Sequence, residues 1–68
     1  MKRTAVKSSN LVSVGYENKT LEIEFKGGGV YTYENVPEEV YKGLISATSI
    51  GSYFHKNIKN VYVFKKIK

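Results

Sequence analysis

Apolar and polar residues alternate along the first half of the chain, and the period then changes at one point. From Asn10 to Tyr16, Val12, Val14 and Tyr16 alternate with Ser13 and Gly15, the period-two pattern of a strand with one buried face. Leu21, Ile23 and Phe25 then alternate with Glu22, Glu24 and Lys26, which predicts a second strand with one wet face. Between them Glu17-Asn18-Lys19 reads as a turn, because Asn tolerates a left-handed backbone. Gly27-Gly28-Gly29 reads as the next turn, since glycine supplies the positive φ that tight hairpins require. Val30 to Glu34 is β-branched and aromatic, a third strand with Tyr31 and Tyr33 on one face. Residues 10–34 therefore predict a three-stranded antiparallel meander.

The period changes at Val36-Pro37-Glu38-Glu39. Proline at a first helical position, followed by acids in the first turn, marks a helix start. Val40/Leu44 and Tyr41/Ile45 form an apolar stripe, Gly43 weakens the helix, and Ala47 is the expected end. A second short helix is predicted after Ser49, which can cap it. Ile50, Phe54 and Ile58 lie on its buried side, with Ser52, His55, Lys56 and Lys59 on a wet basic side. Val61-Tyr62-Val63-Phe64 is β-prone and predicts a C-terminal strand that returns a basic tail to the sheet. The fold expected is α+β: the meander, two short helices and the closing strand. Residues 1–8 lack periodicity and are expected to be a flexible basic leader, with a single domain over 9–68.

Composition narrows the chemistry. The chain has 68 residues, no Cys and one His, which excludes disulfides and a Cys/His zinc site. A core this small must come from tight packing of six Tyr, three Phe and the aliphatics, or from self-association. No apolar run approaches a membrane span, and the basic start lacks the apolar stretch of a signal peptide. A cytoplasmic location is expected, with no membrane partner, and the whole looks like a small bacterial or phage domain. The net charge of +5 is unevenly placed. Lys2, Arg3 and Lys7 at one end, and Lys56, Lys59, Lys65, Lys66 and Lys68 at the other, carry no accompanying acid. All six Glu lie between them, against Lys19, Lys26 and Lys42. Such asymmetry suits an anionic partner meeting one face.

Catalytic readings find little to work with. His55 has no Asp to orient it, and Glu22 and Glu24 share the wet face of a strand, where they serve solvation better than acid–base chemistry. Glu38 and Glu39 suit the helix dipole. A Ser49/His55 couple would lack a third orienting group. No enzyme, cofactor or metal site is expected. The glycine run lacks the Lys-Ser/Thr and helix of a phosphate loop. Tyr31 and Tyr33 either stack bases or build the core. Ser49 and Gly51 flank a helix start, a natural seat for an anion, while capping alone also accounts for Ser49. The strongest candidates are Lys56, Lys59, Lys65 and Lys66, brought to one face by the second helix and the last strand, with His55 beside them.

The ordered series Ser8-Ser9, Val14-Gly15-Tyr16, Leu21/Ile23/Phe25, and Gly29 with Tyr31-Thr32-Tyr33 resembles the KTSC family. Val36-Pro37, then Ala47-x-Ser49-x-Gly51-x-Tyr53-Phe54 and Ile58, complete a match over nearly all of Ser8 to Tyr62. The family is a short domain found alone and at the C-terminus of some lysyl-tRNA synthetases. The resemblance implies an α+β domain and, by analogy with the synthetases, RNA binding. His55 and Lys59 stand where the family pattern suggests Asn-like and Arg-like residues, so contacts specific to those side chains are not carried over. The expected function is non-catalytic binding of a phosphate-bearing anion, first of all RNA of tRNA type. Two alternatives stay open: a homo-oligomeric pocket for a small nucleotide-type ligand, and a protein–protein adaptor.

Overall fold

The computed structural model describes residues 2–68. Seven elements follow in order: β1 (Arg3–Ala5), β2 (Leu11–Glu17), β3 (Thr20–Phe25), β4 (Val30–Tyr33), α1 (Glu38–Ser46), α2 (Ile50–Asn57) and β5 (Phe64–Lys66). The strands form one five-stranded antiparallel sheet in sequence order, with both helices between β4 and β5. The protein is thus a small α+β fold, with one strand, β1, beyond the expected three-stranded meander and C-terminal strand.

Local chemistry explains the turns. Asn18 and Lys19 both take positive φ, 50° and 63°, between the paired residues Glu17 and Thr20. That is a type I′ hairpin, whose twist matches the flanking strands. Gly27 and Gly28, each at φ 101°, make the next reversal. In α1, Pro37 is the N-cap residue rather than the first helical one, and Ala47 is the C-cap. Ser49 caps α2 as its sequence suggests, its Oγ accepting from the Ser52 N–H at 3.3 Å.

Leu21 pairs with Tyr33 and Ile23 with Tyr31, so these four share the face that the helices cover. Leu44 from α1, Phe54 from α2 and Ile58 just after it close the core against Leu11, Val14, Leu21, Ile23, Tyr33 and Val36. The Tyr16 hydroxyl donates to the Val36 carbonyl and its ring stacks on Tyr41 at 4.9 Å, tying α1 to β2.

Three expectations need correction. Arg3–Ala5 lies within the expected leader, yet it pairs with Ser13–Gly15 as the strand β1. A three-residue strand is too short to show a period. Val12 is not a core residue: a bulge between Leu11 and Ser13 turns it outward, 37% exposed, and Leu11 takes the inner position. The C-terminal strand is Phe64–Lys66, not Val61–Phe64. Val61 and Tyr62 instead continue the turn off α2, both donating to the Ile58 carbonyl, with Asn60 at φ 65°.

Candidate functional site

Between α2 and the β3–β4–β5 half of the sheet lies a cleft of about 530 Å³. Its aromatic lining is Phe25, Tyr31, Tyr33, Phe54 and Phe64, with Leu11 and Gly51, and its polar lining is Asn10, His55, Lys59 and Asn60. The rings brace one another edge to face. Phe54 meets Phe25 at 5.3 Å and Tyr33 at 5.6 Å, and Phe25 meets Tyr31 at 5.6 Å. Edge-to-face contacts of this kind are favourable and set the orientation of the rings. Phe64 leans on Tyr31 at 5.9 Å and on Tyr33 at 6.0 Å, yet stays 55% exposed.

A second cleft of about 280 Å³ adjoins the first across Asn10, Gly51 and His55, which line both. Its other lining residues are Ser9, Ser49, Ser52 and Lys56, so it is hydroxyl-rich and basic. Ser8 shapes this region from behind, its Oγ accepting from the Asn10 and Leu11 N–H groups at 3.2 and 3.3 Å.

The sequence candidates divide between these places. Tyr31, Tyr33, Gly51, His55 and Lys59 line the aromatic cleft, and Ser49, Gly51, His55 and Lys56 line the polar one. Lys66 pairs with Tyr31 and shares its face of the sheet. Lys65 pairs with Thr32 and faces the other way, so the four lysines do not gather on one face. The signal was present in the sequence, because neighbours in a strand point to opposite faces. Tyr33 is a core residue at 6% exposure, whereas Tyr31 is only partly buried. Burial, with a smaller contribution from Tyr31, pushes the Tyr33 phenol up to about 12.

Asn10, Phe25, Asn60 and Phe64 escaped the sequence reading as site residues. Asn60 carried a signal, since Asn after a helix commonly takes the left-handed conformation that ends it. Phe64 lay in a run that read as uniform strand. Among the described residues, no cluster of His, Cys, Asp or Glu suits a metal ion. No helix among them is long and apolar enough to cross a membrane.

An antiparallel sheet of this order, with two helices on one face and an aromatic cleft at their seam, defines a small α+β fold. The KTSC domain family model matches residues 7–62, and the chain belongs to that family. A crystal structure of a KTSC domain protein from Yersinia pestis superposes with a TM-score of 0.96 at 39% identity. It covers 98% of this chain and 97% of that one. A protein of Stutzerimonas stutzeri is 48% identical over 61 residues, 87% of this chain and 86% of its own length. Lysine–tRNA ligase of Trichormus variabilis is 43% identical over 49 residues, which is 72% of this chain and only 9% of the ligase.

Proposed function

We propose that this chain is a non-catalytic binding domain for a phosphate-bearing anion, and that the anion is single-stranded RNA. One observation carries the reading: a braced aromatic cleft has a half-exposed ring, Phe64, and a cationic rim formed by Lys59 with His55 alongside. Unpaired bases stack on such rings whatever their sequence, and lysines track the adjoining phosphates. The match to a segment of a lysine–tRNA ligase supports RNA as the partner, since that protein's name concerns tRNA. Lys56, Lys59 and Lys66 are the cations on the cleft side. If each neutralises one phosphate of a single strand, log K against log salt slopes by about −2.

The test is binding of a short unstructured RNA across a salt series. Lys56→Gln with Lys59→Gln should flatten the slope by about 1.4 while leaving stability within about 0.5 kcal/mol. A flat dependence in the parent protein would rule out phosphate contact by these lysines.

One observation favours a second reading, self-association or an adaptor role. Val61, Val63, Phe64 and Ile67, all around β5, are each more than half exposed. Light scattering on a size-exclusion column tests self-association: a tight closed oligomer favours a shared pocket, and a monomer favours RNA or an adaptor role.

A further inference from the structure

We propose that the two adjoining clefts form one two-compartment site for a single nucleotide unit, with Gly51 as the residue that keeps the passage between them open. The base occupies the aromatic compartment, the attached phosphate occupies the polar one, and the sugar crosses over Gly51. This rests on the reading of the cleft as the seat of a phosphate-bearing ligand, and goes further by dividing that ligand between named side chains.

Three observations converge. The first is the shared wall, since Asn10, Gly51 and His55 line both clefts. The second is the difference in chemistry across that wall. One side presents five aromatic rings, and the other presents Ser9, Ser52 and Lys56. The Ser49 hydroxyl is engaged at the helix start, accepting from the Ser52 N–H and donating to the Ser52 Oγ at 3.0 Å. Ser52 thereby accepts a hydrogen bond and keeps its own proton to donate outward. A phosphate oxygen is the acceptor that this hydroxyl and the Lys56 ammonium suit together.

The third is that the fold gives no reason for glycine at position 51. The chain contains two glycines within helices, and they differ. At Gly43 in α1, a Cβ would overlap the Tyr53 hydroxyl and come within 2.7 Å of its Cζ, so any side chain there would have to displace the Tyr53 ring. At Gly51 in α2, φ is not in the positive range, and a Cβ would have ordinary room, with Asn10 Nδ2 at 3.4 Å and Ser8 Oγ at 3.9 Å. Alanine is the better helix former at such a position. A side chain at 51 would start from a residue that lines both compartments and lie against Asn10, which lines both as well.

The experiment is an NMR titration of the whole chain with adenosine, adenosine 5′-monophosphate and a hexa-adenylate strand, repeated on Gly51→Ala and Gly51→Leu. The monophosphate should bind about tenfold tighter than adenosine, the gain of one charge-assisted hydrogen bond. It should shift the amides of Ser52 and Lys56 as well as those of Asn60 and Phe64, whereas adenosine should shift only the latter pair. Gly51→Leu should erase the preference for the monophosphate. Gly51→Ala should reduce it, with a melting temperature equal to or above the parent's, which separates blocked passage from lost fold. A hexa-adenylate that binds while the monophosphate gains nothing over adenosine overturns the two-compartment site and leaves the RNA reading standing. Variants that keep the full preference overturn the role of Gly51. If none of the three probes binds, both readings fall.

Discussion

On the uncovered face of the sheet, Arg3 of β1 lies level with Gly15 of β2, and Gly15 lies level with Glu22 of β3. Because Gly15 has no side chain, the guanidinium spans it and meets the Glu22 carboxylate at 2.7 Å. Glu24, one pleat along, accepts from the Ser13 hydroxyl at 3.0 Å and lies 3.9 Å from Arg3. Beside the cleft on the covered face the situation is reversed. Among the described residues, Lys56, Lys59 and Lys66 have no carboxylate in ion-pair range, and the pairs that exist involve only Arg3 and Lys42. On one face Arg3 is matched by Glu22 and Glu24, with Lys65 left unpaired at its edge, and beside the cleft a like-signed set stays open. Charges that the fold needs are paired, so the unpaired set is the better guide to a partner. Exposed pairs contribute little to stability, and the lysines beside the cleft give the fold nothing to lose.

The comparison breaks most visibly where stability and site share a residue. Phe54 is 7% exposed, touches Phe25 and Tyr33, and lines the aromatic cleft. Phe54→Ala should cost about 3–5 kcal/mol in chemical denaturation, enough to unfold a domain of this size. Such a variant cannot report on binding, and loss of RNA affinity in it says nothing of the cleft. A cost below about 1 kcal/mol would mean that α2 is not seated on the core as described.

Tyr33 gives a second view of that core. An unfolded phenol ionises near 10, whereas the buried Tyr33 holds its proton until about 12. Between those values the folded chain binds a proton that the unfolded chain has lost. Stability is therefore fully present below about pH 10 and declines as pH rises toward 12. Tyr33→Phe should reduce that decline in melting temperature. An equally steep decline in the variant would assign it to other groups.

Arg3→Met sharpens the other half of the comparison. It removes the charge that spans Gly15 and leaves Glu22, 15% exposed at its side chain, without its cation. The expected loss is about 1 kcal/mol, between an exposed pair and a buried one, and it should shrink at high salt. A variant as stable as its parent would mean that β1 is held by its backbone ladder alone.

Much of this architecture was legible because it depends on local period and turn chemistry. The β2–β3 hairpin follows from Asn18, the switch to helix follows from Pro37, and the cap on α2 follows from Ser49. What escaped depends on meetings between distant segments. Three residues of β1 have no period to read, and they acquire meaning only once Gly15 and Glu22 lie beside Arg3. The bulge at Val12 exchanges inner and outer positions without altering composition. Asn10 and Gly51 are 41 residues apart in the chain, and only the fold makes them one wall. Tyr31 and Tyr33 were legible as candidates, but the phenylalanines of the aromatic half were hidden for another reason. Phe25 and Phe64 read as core by type, and nothing local tells a ring that closes a core from one that floors a cleft.

The smallest effect expected is also the most discriminating, because it separates two adjacent lysines. Lys66 pairs with Tyr31 and shares the cleft's face, whereas Lys65 pairs with Thr32 and shares the face of Arg3, Glu22 and Glu24. Both are exposed, so Lys65→Gln and Lys66→Gln should each change stability by less than about 0.5 kcal/mol. Net charge falls equally in both, which controls for any general attraction to RNA. Above about 0.15 M salt, where the screening length is about 8 Å, a charge on the far side of the sheet acts weakly on a strand in the cleft. Lys66→Gln should therefore reduce the slope of log K against log salt by about 0.7, and Lys65→Gln should leave it unchanged. Equal reductions would mean that the ligand meets a diffuse positive cloud rather than one face. A larger effect from Lys65 would move the binding surface to the open side of the sheet, where the acids Glu22 and Glu24 would then have to be displaced from Arg3 and Ser13.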